Sequence, residues 1–324
     1  MTHAKITAVG SYKPSKVLTN EDMEQLVETS DDWIISRTGI KERRIAADDE
    51  FTSDLCYEAI KNLEKKYNKD ISDVDLIIVS TLTPDYRTPS VASYVQGRLG
   101  LENAAAIDVN AACAGFVYGI NMANAYISSG MYNKIIVVAG EVLSKITDYS
   151  DRNTCVLFGD GAGAFLIEND EESSFITSTS GSEGKLAESL YCTDVSKTMF
   201  GKDLEQIGFV NQNGKEVYKW AIKMVPREIE KVAEKANVEL KDVDWFVPHS
   251  ANLKMIQNIC KRSEYPFEQT LHSLVYYGNT SSATIPLAID DAVDRGDIKK
   301  GETILLFGFG GGLTYASSLI KWGI

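Results

Sequence analysis

Four short runs of Ile, Val, Leu and Phe punctuate the chain: LIIVSTLTP (76–84), KIIVVAGE (134–141), DWFVPHS (244–250) and TILLFGFGGG (303–312). They are apolar without alternation, the pattern of strands covered on both faces. Between them lie stretches with apolar positions three or four apart, which predict helices over 52–67, 90–100, 113–130, 217–236 and 281–296. Such alternation predicts an α/β architecture with a largely parallel sheet. FGDGAGAFLIE (158–168) carries a GxGxG-like run, but no long helix follows it. A dinucleotide fingerprint needs that helix, so the segment reads as a strand with close backbone packing. LTYASSLIKW (313–322) reads as another strand.

The pattern repeats. SDVDLIIVS (72–80) matches KDVDWFVPH (241–249) at an offset of 169. CAGFVYGINMANAYISSG followed by KIIVVAGE resembles NTSSATIPLAIDDAVDRG followed by TILLFGFG, which aligns Cys113 with Asn279 at an offset of 166. The repeat implies a duplicated fold divided near ENDEESS (168–174), with halves spanning 1–170 and 171–324. Two helix N-termini would then face one central region.

Composition narrows the function classes. The chain has 324 residues, enough for a sizeable core, and its 44% hydrophobic and 24% charged residues are ordinary for a globular protein. With 33 basic and 46 acidic residues the net charge is −13, which argues against nucleic-acid binding. No stretch has the roughly 20 apolar residues of a membrane span, and the N-terminal MTHAKITAVGSYKPSK lacks a secretory apolar core. The five cysteines (56, 113, 155, 192 and 260) are widely spaced without a CxxC pair, so neither a disulfide framework nor a structural metal site is expected. The cytoplasm is the expected compartment.

The candidate chemistry clusters in four places. Cys113 sits among small residues in NAACAGF, just before a predicted helix, where backbone N–H groups and the helix dipole favour a thiolate. A buried, inert thiol is the competing reading. His249 stands at the end of a predicted strand, whereas His3 is near the terminus and His272 reads as structural. Asn279, in YYGNTSSATIP, is placed either to cap the helix that follows or to face Cys113. The glycines of FGFGGG (307–312) expose backbone N–H groups suited to an oxyanion, or simply make a tight turn.

NAACAGF, WFVPHSANLKMI, YGNTSSATIPLA and FGFGGGLTYAS, together with DDWIISRTGIKERR (31–44) and DRNTCVLFGDGAGA (151–164), resemble the β-ketoacyl-[acyl-carrier-protein] synthase III family of bacterial fatty-acid synthesis. The resemblance runs from about residue 4 to residue 322. It implies the thiolase fold: two duplicated halves in five α/β/α/β/α layers. It also implies a Cys113–His249–Asn279 triad. Related families depart at these positions: elongating synthases use a second histidine, thiolases a cysteine in the C-terminal glycine motif, and hydroxymethylglutaryl-CoA synthases a glutamate near the first strand end.

The implied reaction acylates Cys113 from a short acyl-CoA and then condenses the acyl group with malonyl-acyl-carrier protein, releasing CO2. The N–H groups of Cys113 and Gly311 would hold the oxyanion, and His249 and Asn279 would donate hydrogen bonds to the enolate. The resemblance assigns Trp33 and Arg152 to sandwich the CoA adenine, Arg37 to its phosphates, and Gly214, Tyr218 and Asn252 to the pantetheine tunnel. Thr88, where acetyl-restricted members carry phenylalanine, would give a primer pocket open to branched acyl groups, reached across a homodimer interface. Lys219, Lys254, Lys261 and Arg262, with Lys223, could form a local basic patch for the acidic carrier protein. No cofactor and no metal are expected. A cysteine hydrolase, a related acyltransferase of secondary metabolism and a non-catalytic acyl-CoA binder are the rival readings; the CGSC[WY] signature of papain-like hydrolases is absent.

Overall fold

The computed structural model describes residues 3–205 and 207–324; Met1 and Thr2 of the N-terminal stretch lie outside them. Nine strands build two sheets: β1 (His3–Tyr12), β2 (Leu76–Ser80), β3 (Ala105–Val109), β4 (Lys134–Val142), β5 (Asp160–Asp170), β6 (Phe175–Ser182), β7 (Trp245–Pro248), β8 (Thr303–Gly310) and β9 (Thr314–Lys321). The principal helices are α1 (Asp31–Thr38), α2 (Thr52–Tyr67), α3 (Val91–Leu99), α4 (Gly115–Ser128), α5 (Gly214–Ala236), α6 (Leu253–Arg262) and α7 (Thr284–Arg295).

The first sheet has the order β1-β5-β4-β2-β3 and the second β6-β9-β8-β7. A parallel bridge from Phe246 to Thr270 adds the stub of a fifth strand beside β7. The two sheets therefore share one order, with β1, β5, β4 and β2 answered by β6, β9, β8 and β7. The expected parallel arrangement holds for all but one strand of each sheet: β3 and β4 run parallel to β2, and β7 to β8, while β5, antiparallel to both β4 and β1, and β9, antiparallel to both β8 and β6, run against the rest.

Strand periodicity separates the layers. Ile135 and Val137 of β4 and Ile304 and Leu306 of β8 turn inward, packing with α4 and α7 between the sheets. Ile136 and Val138 face outward under α2 and α3. Leu305 and Phe307 face outward under α5 and α6. Five layers result, α/β/α/β/α. Because β4 and β8 are covered on both faces, their sequences are continuously apolar. Among the described residues, no helix is long and apolar enough to cross a membrane.

The repeat is confirmed as a pairing of elements, but one alignment shifts. A short 3-10 turn, Ala112–Ala114, precedes α4, and its counterpart Ser281–Ala283 precedes α7. These turns are 169 positions apart, as are β2 and β7. Cys113 therefore corresponds to Ser282, and Asn279 corresponds to Asn110. The 166 offset superposes Gly130 on Gly296: α7 is two residues shorter than α4, and Gly296 is its C-cap, whereas Gly130 lies one residue beyond the C-cap of α4.

Candidate active site

The two turns are built alike. Ala112 and Ser281 both have left-handed backbones, with φ of 45° and 51°. Such residues typically cost about 1–3 kcal/mol and gather at functional sites. In each turn an asparagine three residues before the Cys113/Ser282 position supports the bend: Asn110 Oδ1 accepts the Ala112 N–H at 3.2 Å, and Asn279 Oδ1 accepts the Ser281 N–H at 2.8 Å. Accepting with Oδ1 leaves the Nδ2 end of Asn279 for a ligand.

Asn279 is fixed by backbone pairing to the other half. Its N–H donates to Leu157 O at 2.8 Å, and its C=O accepts from Gly159 N–H at 3.1 Å. That approach requires glycine on both sides. A Cβ on Gly159 would lie 2.1 Å from Tyr277 O, and one on Gly278 would lie 2.9 Å from Leu157 O.

Cys113 packs against the second sheet, where Gly310 makes room: a Cβ there would lie 2.9 Å from Cys113 Sγ. The expected thiolate is not the resting form. Burial pushes the thiol up to about 12, against the opposing influence of the nearby Ser281 hydroxyl. That hydroxyl is buried but makes no well-directed hydrogen bond. Among the described residues, the N–H groups of Cys113 and Gly311 have no backbone acceptor, as an oxyanion site requires.

His249 follows β7 directly, with its ring edge-on to Phe309 at 5.3 Å between centroids. Burial lowers its pKa to about 3, so it is neutral at physiological pH. Its tautomer follows from its neighbours. Thr284 Oγ1 donates its single proton to Ser281 O at 2.9 Å and accepts the Ser250 N–H at 3.2 Å. It therefore accepts from His249 Nδ1 at 2.8 Å, which puts the ring proton on Nδ1 and leaves Nε2 a lone pair. A donor role for His249 requires Nε2 to take up a proton first.

Cys113, His249 and Asn279 all line one cavity of about 870 Å³. Trp33, Arg37, Gly214, Tyr218, Asn252 and Gly311 line it too. Arg152 is not in the wall but stands over the Trp33 ring at 5.0 Å, with its guanidinium donating to Glu28 O. An adenine sandwiched between them requires Arg152 to swing aside. Asn252 caps α6 and donates to Arg37 O, tying the helix to the cavity rim. Lys254, Lys261 and Arg262 are exposed on α6 and join no ion pair among the described residues, whereas Lys219 on α5 pairs with Glu216 at 3.0 Å. Lys223 is exposed on α5. Thr88 is exposed and outside the cavity wall of this chain.

Three participants escaped the sequence reading: Thr284, which fixes the imidazole; Ser281; and Glu141, a carboxylate inside an apolar strand. Glu141 had a signal in the sequence, because an acid closing the run KIIVVAGE has no solvent face to occupy.

Residues 107–184 match the family described as 3-oxoacyl-[acyl-carrier-protein] synthase III, and residues 233–322 match its C-terminal part. A β-ketoacyl-[acyl-carrier-protein] synthase III 2 of Staphylococcus epidermidis is 60% identical over 99% of both chains. The crystal structure of a β-ketoacyl-[acyl carrier protein] synthase III from Thermus thermophilus superposes with a TM-score of 0.95 at 41% identity, covering 98% of this chain and 99% of that one. A priming β-ketosynthase of the R1128 polyketide pathway superposes with a TM-score of 0.93 at 32% identity, over 99% and 96% of the two chains.

Proposed function

The chain belongs to the 3-oxoacyl-[acyl-carrier-protein] synthase III family, and from that premise we propose how its own residues carry out the initiating condensation of fatty-acid synthesis. The family joins an acyl-CoA primer to malonyl-acyl-carrier protein. The observation that carries the assignment of roles is the single cavity in which Cys113, His249 and Asn279 meet while its rim reaches Trp33 and Arg37.

In the first half-reaction Cys113 Sγ attacks the primer thioester carbonyl as Nε2 of His249 takes its proton. The N–H groups of Cys113 and Gly311 hold the oxyanion. Collapse of the adduct expels CoA, which receives the proton from His249. In the second, the malonyl thioester loses CO2 and its oxygen becomes enolate-like. Asn279 Nδ2 donates to that oxygen, and His249 adds a second hydrogen bond when Nε2 carries a proton. The carbanion attacks the acyl-Cys113 carbonyl. As Sγ leaves it regains a proton through His249, so one proton is consumed per CO2 released.

The carrier protein is steered by α6, whose Lys254 stands in the first turn next to Asn252 and whose Lys261 and Arg262 stand in the last turn, none of them in an ion pair among the described residues. The enzyme works as a homodimer joined along β3. This strand is the outer edge of the first sheet, with no further strand beside it among the described residues, and it leaves Ile107 42% exposed. A bare apolar edge is a template for pairing, and Tyr86 and Tyr94 add exposed aromatic surface in the same part of the chain.

The rival reading is a sister acyltransferase of secondary metabolism that passes its acyl group on without condensing it. Incubation with a short acyl-CoA and malonyl-acyl-carrier protein separates the readings. The proposal expects CO2 and a 3-oxoacyl-carrier product in equal amounts; acyl transfer without CO2 release would overturn it.

A further inference from the structure

Glu141 is fully buried at the end of β4, at the place in the first sheet that Gly310 occupies in the second. Gly310 leaves space for Cys113. Glu141 fills the corresponding space and reaches Ser282, the counterpart of Cys113. Ser282 Oγ donates to one carboxylate oxygen at 3.0 Å. Thr83 Oγ1 at 2.9 Å, Thr81 Oγ1 at 3.2 Å and the Leu82 N–H at 3.1 Å donate to the other. Thr83 is oriented for this, since its oxygen accepts the Val142 N–H at 3.0 Å. One carboxylate thus joins the turn carrying Asn279 and Ser281 to the loop carrying Leu82, and Asn279, Ser281 and Leu82 all line the cavity.

We propose that Glu141 is a positioning residue for the condensation: in its ionised form it locks the Thr81–Thr83 loop to Ser282 and so fixes the Asn279 amide and the Leu82 wall of the acyl pocket. The inference rests on the reaction assigned above. Four donors suit a carboxylate, which only accepts; on protonation one oxygen becomes a donor, and at least one of the four must turn away. Among the described residues no Lys, Arg or His pairs with it. The titratable groups acting on this region are the thiols of Cys113 and Cys56, and the carboxylates of Asp85, Asp108 and Asp54, which act on Cys56 together with Glu141. Burial raises the Glu141 carboxyl to about 7, against the pull of its donors, so the lock loosens within the working pH range.

The test compares wild type with Glu141→Gln and Ser282→Ala from pH 5.5 to 8.5, following acylation of Cys113, kcat and KM for malonyl-acyl-carrier protein, and unfolding. The proposal expects wild-type kcat to fall as pH drops through about 7. Glu141→Gln should lose about tenfold in kcat at pH 8, the scale of one hydrogen bond to a charged group, with KM within twofold and the acid limb gone. Ser282→Ala should lower kcat in the same way and keep the limb. Unfolding reads the same group without substrate. A carboxyl raised in the folded state stabilises it below about 4.5, and that contribution is lost as pH rises through about 7. Wild type should therefore lose stability relative to Glu141→Gln across that window. Wild-type kcat in Glu141→Gln, or an acid limb that survives the substitution, would overturn the proposal. If wild type acylates but never condenses, the reaction assignment fails instead, and the unfolding comparison still decides whether Glu141 is held ionised.

Discussion

Replacing Gly310 with alanine tests the placing of the nucleophile most sharply. The added methyl would lie 2.8 Å from Cys113 Cβ, 2.9 Å from its Sγ and 3.1 Å from its backbone N. Ordinary carbon contacts are about 3.5–4.0 Å, so β8 and the Cys113 turn must part by about 0.6–1 Å. Neither side yields easily. Gly310 is paired with Thr314 at the end of a buried hairpin, and Cys113 follows a residue in the left-handed region. A displacement of about 1 Å costs on the order of a hundredfold in rate, and overpacking costs about 1–3 kcal/mol of stability. Gly310→Ala is therefore expected to acylate Cys113 about a hundredfold more slowly, measured by quenched-flow mass spectrometry with acyl-CoA, while remaining folded by circular dichroism. Gly311→Ala is the control. Its methyl would meet Leu190 O at 3.3 Å and Ala112 Cβ at 3.4 Å, so it should slow acylation less than tenfold. Near-normal acylation by Gly310→Ala would refute the account of how the thiol is seated.

Asn279→Ala should keep acyl transfer to Cys113 but slow CO2 release by about a hundredfold or more, the usual loss for one such donor; normal decarboxylation would contradict its role. Reversing charge at Lys254 and Arg262 should raise KM for the carrier substrate and flatten its salt dependence while leaving acylation by CoA esters intact; equal damage to both half-reactions would mean that α6 acts structurally. A panel of primers should show isobutyryl, isovaleryl and 2-methylbutyryl groups accepted beside acetyl, with each extra buried methylene contributing about 0.8 kcal/mol. Thr88→Phe should swing selectivity toward acetyl; an unchanged profile would remove Thr88 from the primer pocket.

Strands covered on both faces were legible in the sequence because nothing interrupts their apolar run. β1 and β6 were not. HAKITAVGSY mixes polar with apolar positions, and the outermost strand of the second sheet, FITSTSGS, is dominated by Ser, Thr and Gly. The reversed direction of β5 and β9 was not legible for the same reason: burial on both faces makes a strand apolar whichever way it runs. Cys113, His249 and Asn279 could be singled out as candidates because they sit at ends of legible elements, whereas their grouping as a triad came from the family resemblance. The imidazole tautomer could not be read, since it depends on Thr284 and on hydrogen bonds between segments 34 and 35 residues apart. Glu141 was visible as an oddity, but its partners Thr81, Thr83 and Ser282 converge only in the fold.

Cys113 is assigned as the nucleophile, and the cavity itself supplies a competitor. Cys192 lines the same space and is exposed, whereas Cys56, Cys155 and Cys260 are buried outside it. Peptide mass mapping after incubation with acyl-CoA, without the malonyl substrate, reads the acceptor directly. The account predicts one acyl group per chain, on Cys113 alone, discharged when malonyl-acyl-carrier protein is added. Label on Cys192 or any other cysteine, or a Cys113→Ala variant that still takes up acyl groups, would contradict it.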